Sequence, residues 1–198
     1  MVTSEKISAF DGRAYQERFD ALSRAGMDVH GEARLVLSLA PRKVLDAGCG
    51  TGRVAIELAQ HDIEVVGVDI DSSMISEARR RAPDLVWIED DLAELDLRCG
   101  FDVVVLAGNV PIFCPAERRA ALVGRCAEHV DQGGFLVAGF RLDRGFSLDD
   151  YDRGCGLAGL TLYGRWATWE KEAFGPDSSY AVSLHRRLPL SPEALRFD

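Results

Sequence analysis

Between Lys43 and Gln60 a short strand-like run, KVLDAG, passes through the spaced glycines Gly48, Gly50 and Gly52 and straight into GRVAIELAQ, which has helical spacing. That juncture is the strongest constraint in the chain. A strand that turns directly into a helix sets the helix N-terminus, with its unpaired N–H groups and positive dipole end, over the strand's C-terminal edge. Glycines there admit positive φ and let a ligand approach the main chain closely. The bland alternative is a tight strand-to-helix turn with no ligand.

The segments that follow extend the same pattern. EVVGVDID from Glu64, DLVWIED from Asp84, FDVVVLAGN from Phe101 and FLVAGF from Phe135 are strand-like. SSMISEARRR from Ser72 is helical, with the two serines as possible N-caps, and a further helix is expected from Pro115 to about Val130. Gly133 and Gly134 break the chain before the fifth strand. Continuous apolar strands alternating with amphipathic helices imply a parallel sheet covered on both faces. Beyond it, LTLYGRWATWEKEAF and SYAVSLHRR read as two antiparallel strands joined at Gly175–Ser178, and 141–159 reads as a loop or short helix over a sheet edge. On the first of those strands Trp166 and Trp169 are expected on opposite faces.

Composition narrows the function classes. The 198 residues suit a single domain, and Lys plus Arg at 23 against Asp plus Glu at 32 gives a net charge of −9. That balance opposes a chain built to grip a phosphate backbone, so a nucleic-acid partner is disfavoured. No apolar run approaches the ~20 residues of a membrane span, and the N-terminus resembles neither a signal nor a transit peptide. The cysteines (Cys49, Cys99, Cys114, Cys126, Cys155) are odd in number and scattered, which suits reduced thiols in the cytoplasm. No histidine or cysteine spacing suggests a metal site.

Spacing then separates the ligands a glycine loop can hold. A dinucleotide fingerprint requires G-x-G-x-x-G, and position 53 is Arg53 rather than the third glycine. A Walker loop is excluded because no Gly-Lys-Ser/Thr follows. Asp69 at the end of the second strand is placed to accept both hydroxyls of a ribose, and Ile70 to lie against a flat base. After the third strand, Asp91 and the backbone N–H of Leu92 suit an adenine edge, with Glu89 and Asp90 as neighbouring acids; the bland alternative is that Asp90 and Asp91 are turn residues in a solvated loop.

With these motifs in order, the sequence resembles the class I S-adenosylmethionine-dependent methyltransferases. The resemblance is carried by VLDAGCGTGRVAIELA, VVGVDID, WIEDDLAEL, FDVVVLAGN and GGFLVAGF, across roughly residues 40–140. It implies a Rossmann-like seven-stranded, mostly parallel α/β sheet in the order 3-2-1-4-5-7-6, strand 7 antiparallel, with helices on both faces. It further implies that Gly48 and Gly50 line the methionine part of the cofactor, with Asp46 supporting the loop. Asp69 would then bind the ribose, Ile70 would flank the adenine, and Asp91 with Leu92 would read its edge. Ala107 would lie close to the sulfonium, and Gly108-Asn109 would face the acceptor.

The domain is expected to divide into an N-terminal helical lid (1–40), a cofactor-binding core (41–140) and a loop with closing antiparallel strands (141–198). In the lid, Tyr15, Phe19 and Leu22 share one helix face, and Tyr15 is expected to wall the cofactor site. His30 could be a base but reads better as a structural residue. Asn109-Val110-Pro111-Ile112-Phe113 is similar to the N/D-P-P-Y/F loop of amide- and base-modifying N-methyltransferases, with Val110 in place of a proline, and is read as a pocket rim. Cys114 has no activating partner in the sequence. The expected activity is methyl transfer from S-adenosylmethionine to a small molecule, with catalytic residues and oligomeric state unassigned. The alternatives are a protein or nucleic-acid methyltransferase, or a non-catalytic cofactor-binding regulator.

Overall fold

The computed structural model describes residues 11–189, so the outer ends of the expected lid and closing segments, 1–10 and 190–198, lie outside the described residues. Two helices come first, α1 (Gly12–Arg24) and α2 (Gly31–Leu37). Strand and helix then alternate through β1 (Lys43–Ala47), α3 (Arg53–Ala59), β2 (Glu64–Asp69), α4 (Ser72–Arg81), β3 (Val86–Glu89) and β4 (Phe101–Leu106). The short α5 (Val110–Phe113), a 3-10 turn (Ala116–Arg118) and α6 (Arg119–Glu128) follow. The chain then forms β5 (Val130–Arg141), α7 (Leu148–Leu157), β6 (Leu160–Trp166) and β7 (Tyr180–Arg187).

The strands form one sheet in the order β3-β2-β1-β4-β5-β7-β6. β7 runs antiparallel to β5 and β6, and the remaining pairs are parallel. This is the expected topology, and its cause is visible in the strands. In β4 every residue but Asp102 is buried, as a strand covered on both faces must be. Asp102 instead caps the edge of β1, accepting from the backbone N–H of Arg42 at 2.7 Å and Lys43 at 2.9 Å. One apolar layer joins Leu45, Val104, Leu106 and Leu136 to Leu122, Val123 and Tyr151 of α6 and α7. The other joins Val44, Val65, Val103 and Val137 to Val36, Leu58 and Ile75 of α2, α3 and α4.

Several local expectations change. The helix expected from Pro115 starts as the 3-10 turn, and the α-helix begins only at Arg119. Gly133 and Gly134 interrupt no strand, because β5 already starts at Val130 and takes them in at an irregularity where its register with β4 jumps between Phe101 and Val103. The N-cap of α4 is Asp71 rather than either serine, its carboxylate accepting from Ser73 and Met74 N–H. β6 stops at Trp166, so the chain to Tyr180 is a long connection with one isolated bridge, Trp166 to Ala173. Strand parity therefore says nothing about Trp169, whose ring instead lies over Gly139 of β5 and donates to the Tyr180 hydroxyl at 3.2 Å. Segment 141–159 contains α7, capped by Ser147, packed on α6 and on the edge strand β6. Arg187 closes this side by donating to the carbonyls of Ala127, Val130 and Ala158 near the ends of α6 and α7.

Trp87 of β3 fixes the other edge. Its indole crosses β2 at Gly67, where a Cβ would stand 2.4 Å from the ring, and its N–H donates to Ala82 O at 2.8 Å. Gly67→Ala is therefore expected to cost about 1–3 kcal/mol by overpacking, read by urea denaturation. Adding Trp87→Leu should recover part of that loss; two independent, additive losses would contradict the wedge.

Candidate functional site

Strand order reverses between β1, which leads outward to β2 and β3, and β4, which leads outward the other way. Such a switch point leaves a crevice at the strands' C-terminal ends. The glycine loop fills its floor. Gly48 N–H and Cys49 N–H both donate to Val68 O, at 2.8 and 2.9 Å, which draws the loop onto the end of β2. Gly48 has φ +79°, and a Cβ there would meet Val110 Cγ2 at 2.4 Å, so no other residue suits both the turn and the neighbour.

Asp69 closes the loop from the side. Its Oδ2 accepts from Gly50 N–H at 2.8 Å and its Oδ1 from Asp71 N–H at 3.0 Å. Burial pushes its carboxyl above the usual range, while those N–H groups pull the other way. Next to it Ile70 is 48% exposed, an apolar side chain at the open edge of the crevice. Asp46 lies beneath. Its Oδ2 accepts from Ala55 N–H at 3.1 Å and thereby caps α3, whose N-cap residue, Gly52, has no side chain to do so. Its Oδ1 is buried with no hydrogen-bond partner, and burial raises its pKa to about 7.

Ala107, buried, follows β4, and Gly108 is exposed beside it. Asn109 is committed to structure, since its Oδ1 accepts from Arg141 N–H at 2.9 Å and its own N–H reaches Gly139 O at 3.2 Å. Leu92 is buried in the core, and Asp91 accepts from Ala93 N–H at 2.9 Å and from Arg118. Tyr15 arrives from α1, its ring 3.9 Å from where a Gly50 Cβ would be, and burial raises its pKa. Gly48, Gly50, Asp69 and Tyr15 thus lie together about the glycine loop with Asp46 beneath it, while Ile70 follows β2, Ala107 follows β4, and Asp91 and Leu92 follow β3. His30 faces elsewhere, its Nδ1 3.3 Å from Glu57 on α3. The Cys114 thiol is pushed up by burial, the opposite of activation.

Three groups escaped the sequence reading. Gln16, buried beside the half-buried aromatic stripe, accepts from Thr51 Oγ1 at 2.6 Å and docks α1 on the glycine loop. Arg53, informative in the sequence only as a missing glycine, forms a bidentate pair with Glu32 at 2.6 and 3.0 Å, each side chain 14% exposed. Trp169 and Tyr180 stand over β5. Between them and α1 lies a cleft of about 240 Å³ lined by Phe19, Leu22, Glu32, Arg53, Trp169 and Glu170. Among the described residues no group of acidic, histidine and cysteine side chains is arranged to hold a metal.

A methyltransferase-domain family profile matches residues 44–134, the stretch that builds this crevice. A solved structure of a TehB-like S-adenosylmethionine-dependent methyltransferase from Corynebacterium glutamicum superposes with a TM-score of 0.83 at 32% identity, over 89% of this chain and 97% of that one. The chain belongs to the S-adenosylmethionine-dependent methyltransferases. Among curated relatives, this methyltransferase is 33% identical over 108 residues to the demethylmenaquinone methyltransferase of Beutenbergia cavernae, covering 52% of the chain and 45% of the relative. It is 31% identical over 108 residues to a dTDP-3-amino-3,4,6-trideoxy-glucopyranose N,N-dimethyltransferase of Streptomyces venezuelae, covering 53% of the chain and 46% of the relative. The match thus spans about half the length of these curated relatives.

The buried Asp46 carboxyl has a stability consequence. Its pKa is about 7 folded against 3.8 for the ordinary group, so the folded chain holds a proton that the unfolded chain has lost. Its contribution is whole below the lower value and fades as pH rises through the higher, at up to about 1.4 kcal/mol per pH unit. Asp46→Asn is expected to flatten that decline between pH 4 and 7 in urea denaturation of the ligand-free protein. Parallel curves for the two proteins would contradict it.

Proposed function

We propose that this chain binds S-adenosylmethionine in the crevice between β1 and β4 and transfers its methyl group to a small-molecule acceptor. The observation that carries the reading is Asp69, a half-buried carboxylate held by Gly50 and Asp71 N–H groups at the edge of the G-x-G-x-G loop. A carboxylate so fixed retains lone pairs for two ribose hydroxyls. Ile70 supplies an apolar face for the adenine, Asp91 and Leu92 N–H its edge, and Gly48 and Gly50 a main chain that a methionine moiety can approach. The unpartnered Asp46 Oδ1 suits a cationic group above the loop.

When bound, the cofactor supplies an electrophilic methyl group already activated on sulfonium. The chain's task is to align the acceptor and exclude water, and orientation alone can supply about 7–11 kcal/mol. Ala107, a small side chain after β4, leaves room there, and Tyr15 stands against the glycine loop as a wall of the site. The small-molecule reading is supported by the net charge of −9 and by a Streptomyces relative named for an amino-sugar nucleotide. No helix among the described residues is long and apolar enough to cross a membrane. The odd number and scatter of the cysteines support reduced thiols and a cytoplasmic setting.

S-adenosylhomocysteine at ~100 times its Kd should stabilise the fold by ~2.7 kcal/mol in a thermal melt, and NAD should not. A shift with NAD alone would overturn the assignment. Asp69→Ala removes a charged acceptor worth about 1.5–3 kcal/mol, so calorimetry should show affinity at least about tenfold weaker with the fold retained. Hydrogen exchange in 12–32 should slow when S-adenosylhomocysteine binds, and Tyr15→Ala should weaken binding. Unchanged exchange would reduce α1 to a packing element.

A further inference from the structure

From the last residue of β3 onward the chain carries four acids close together, Glu89, Asp90, Asp91 and Glu94. Only Asp91 is drawn inward; the others are exposed. Asp90 turns back on its own chain, its Oδ1 accepting from Asp91 N–H at 2.8 Å. Asp91 is held from two sides, with Oδ1 accepting from Ala93 N–H at 2.9 Å and Oδ2 from Arg118 Nη1. The other arm of the same guanidinium donates to Glu94 Oε1 at 2.7 Å. Arg118 ends the 3-10 turn after α5, so it reaches the β3 loop from the far side of the crevice's rim.

We propose that Arg118 is a positioning residue for the cofactor's adenine: by fixing Asp91 and occupying Glu94, it chooses which carboxylate faces the base and makes the site select a 6-amino purine. The proposal rests on the reading above that Asp91 faces the adenine edge. The chemistry is a matter of donors and acceptors. A 6-amino group donates and is matched by a carboxylate, whereas a 6-oxo group presents an acceptor to an acceptor. A carboxylate can serve this purpose only if its free lone pairs stay aimed at the base. Without Arg118, Asp91 would be held by Ala93 N–H alone, beside Asp90 and Glu94, whose like charges push it towards solvent. A planar guanidinium that grips two carboxylates at once removes both the repulsion and the rotational freedom, which a single-point ammonium does less well.

The test measures S-adenosylhomocysteine and S-inosylhomocysteine by calorimetry on the full chain and its variants. The unaltered protein should prefer the 6-amino ligand by about tenfold or more, the scale of one charge-assisted hydrogen bond. Arg118→Ala should cut that ratio to within about threefold without lowering the melting temperature of the ligand-free protein, and Arg118→Lys should restore part of it. An unchanged ratio in Arg118→Ala, or equal weakening of both ligands, overturns the proposal. If the unaltered protein prefers the 6-amino ligand and Asp91→Ala keeps that preference, Asp91 does not read the base, and the role of Arg118 falls with it. If neither ligand binds the unaltered protein, the cofactor reading itself is overturned.

Discussion

Two backbone N–H groups, Gly48 and Cys49, share the Val68 carbonyl, and Gly50 N–H rests on the Asp69 carboxylate. These contacts fold the glycine loop sideways from β1 onto the end of β2 and so decide where every other functional group stands. With the loop pinned, α3 starts with no side-chain cap of its own, and Asp46 must supply one from below. That demand holds a carboxylate in the core, and burial gives it a pKa of about 7. Asp69 is likewise kept at the crevice edge by its bonds to the loop. Support of the loop and readiness for a ligand are therefore the same contacts.

The cover over this floor is polar where a core would be apolar. Gln16 meets Thr51, Arg53 meets Glu32 and lies 4.8 Å over the Phe19 ring, and Trp169 meets Tyr180. Buried ion pairs of this kind return little net stability, because desolvation offsets attraction, but a lone partner left behind is costly. Such pairs specify one docking of α1 and α2 without the strength of an apolar interface.

Two carboxylates of similar appearance in the sequence have different fates. Asp69 is the last residue of β2, paired with Glu89 of β3, and the N–H groups of Gly50 and Asp71 hold its carboxylate. Asp91 stands in a loop among other acids and acquires its orientation from Arg118, 27 residues further on. The difference explains why position alone singles out Asp69 as a candidate, whereas Asp91 has Glu89 and Asp90 as rival candidates. Asn109 shows the converse, a residue expected to face an acceptor whose carbonyl oxygen is spent on Arg141 N–H.

The amino-acid sequence by itself determined a mostly parallel sheet covered on both faces, with a glycine loop at the end of its first strand, because apolar periodicity and the spaced glycines act locally; the strand order came only with the family resemblance. It also determined which ligand class the loop excludes, since Arg53 stands where a dinucleotide loop has glycine. Tertiary structure alone decided that β6 stops at Trp166, that Trp169 lies over Gly139, and that Arg53 pairs with Glu32. It likewise decided that Gln16, one position from the aromatic stripe, docks α1 on the glycine loop. Each of these joins segments distant in the chain through one polar or aromatic contact. No local pattern encodes such a contact, because its energy exists only when both partners have already been brought together.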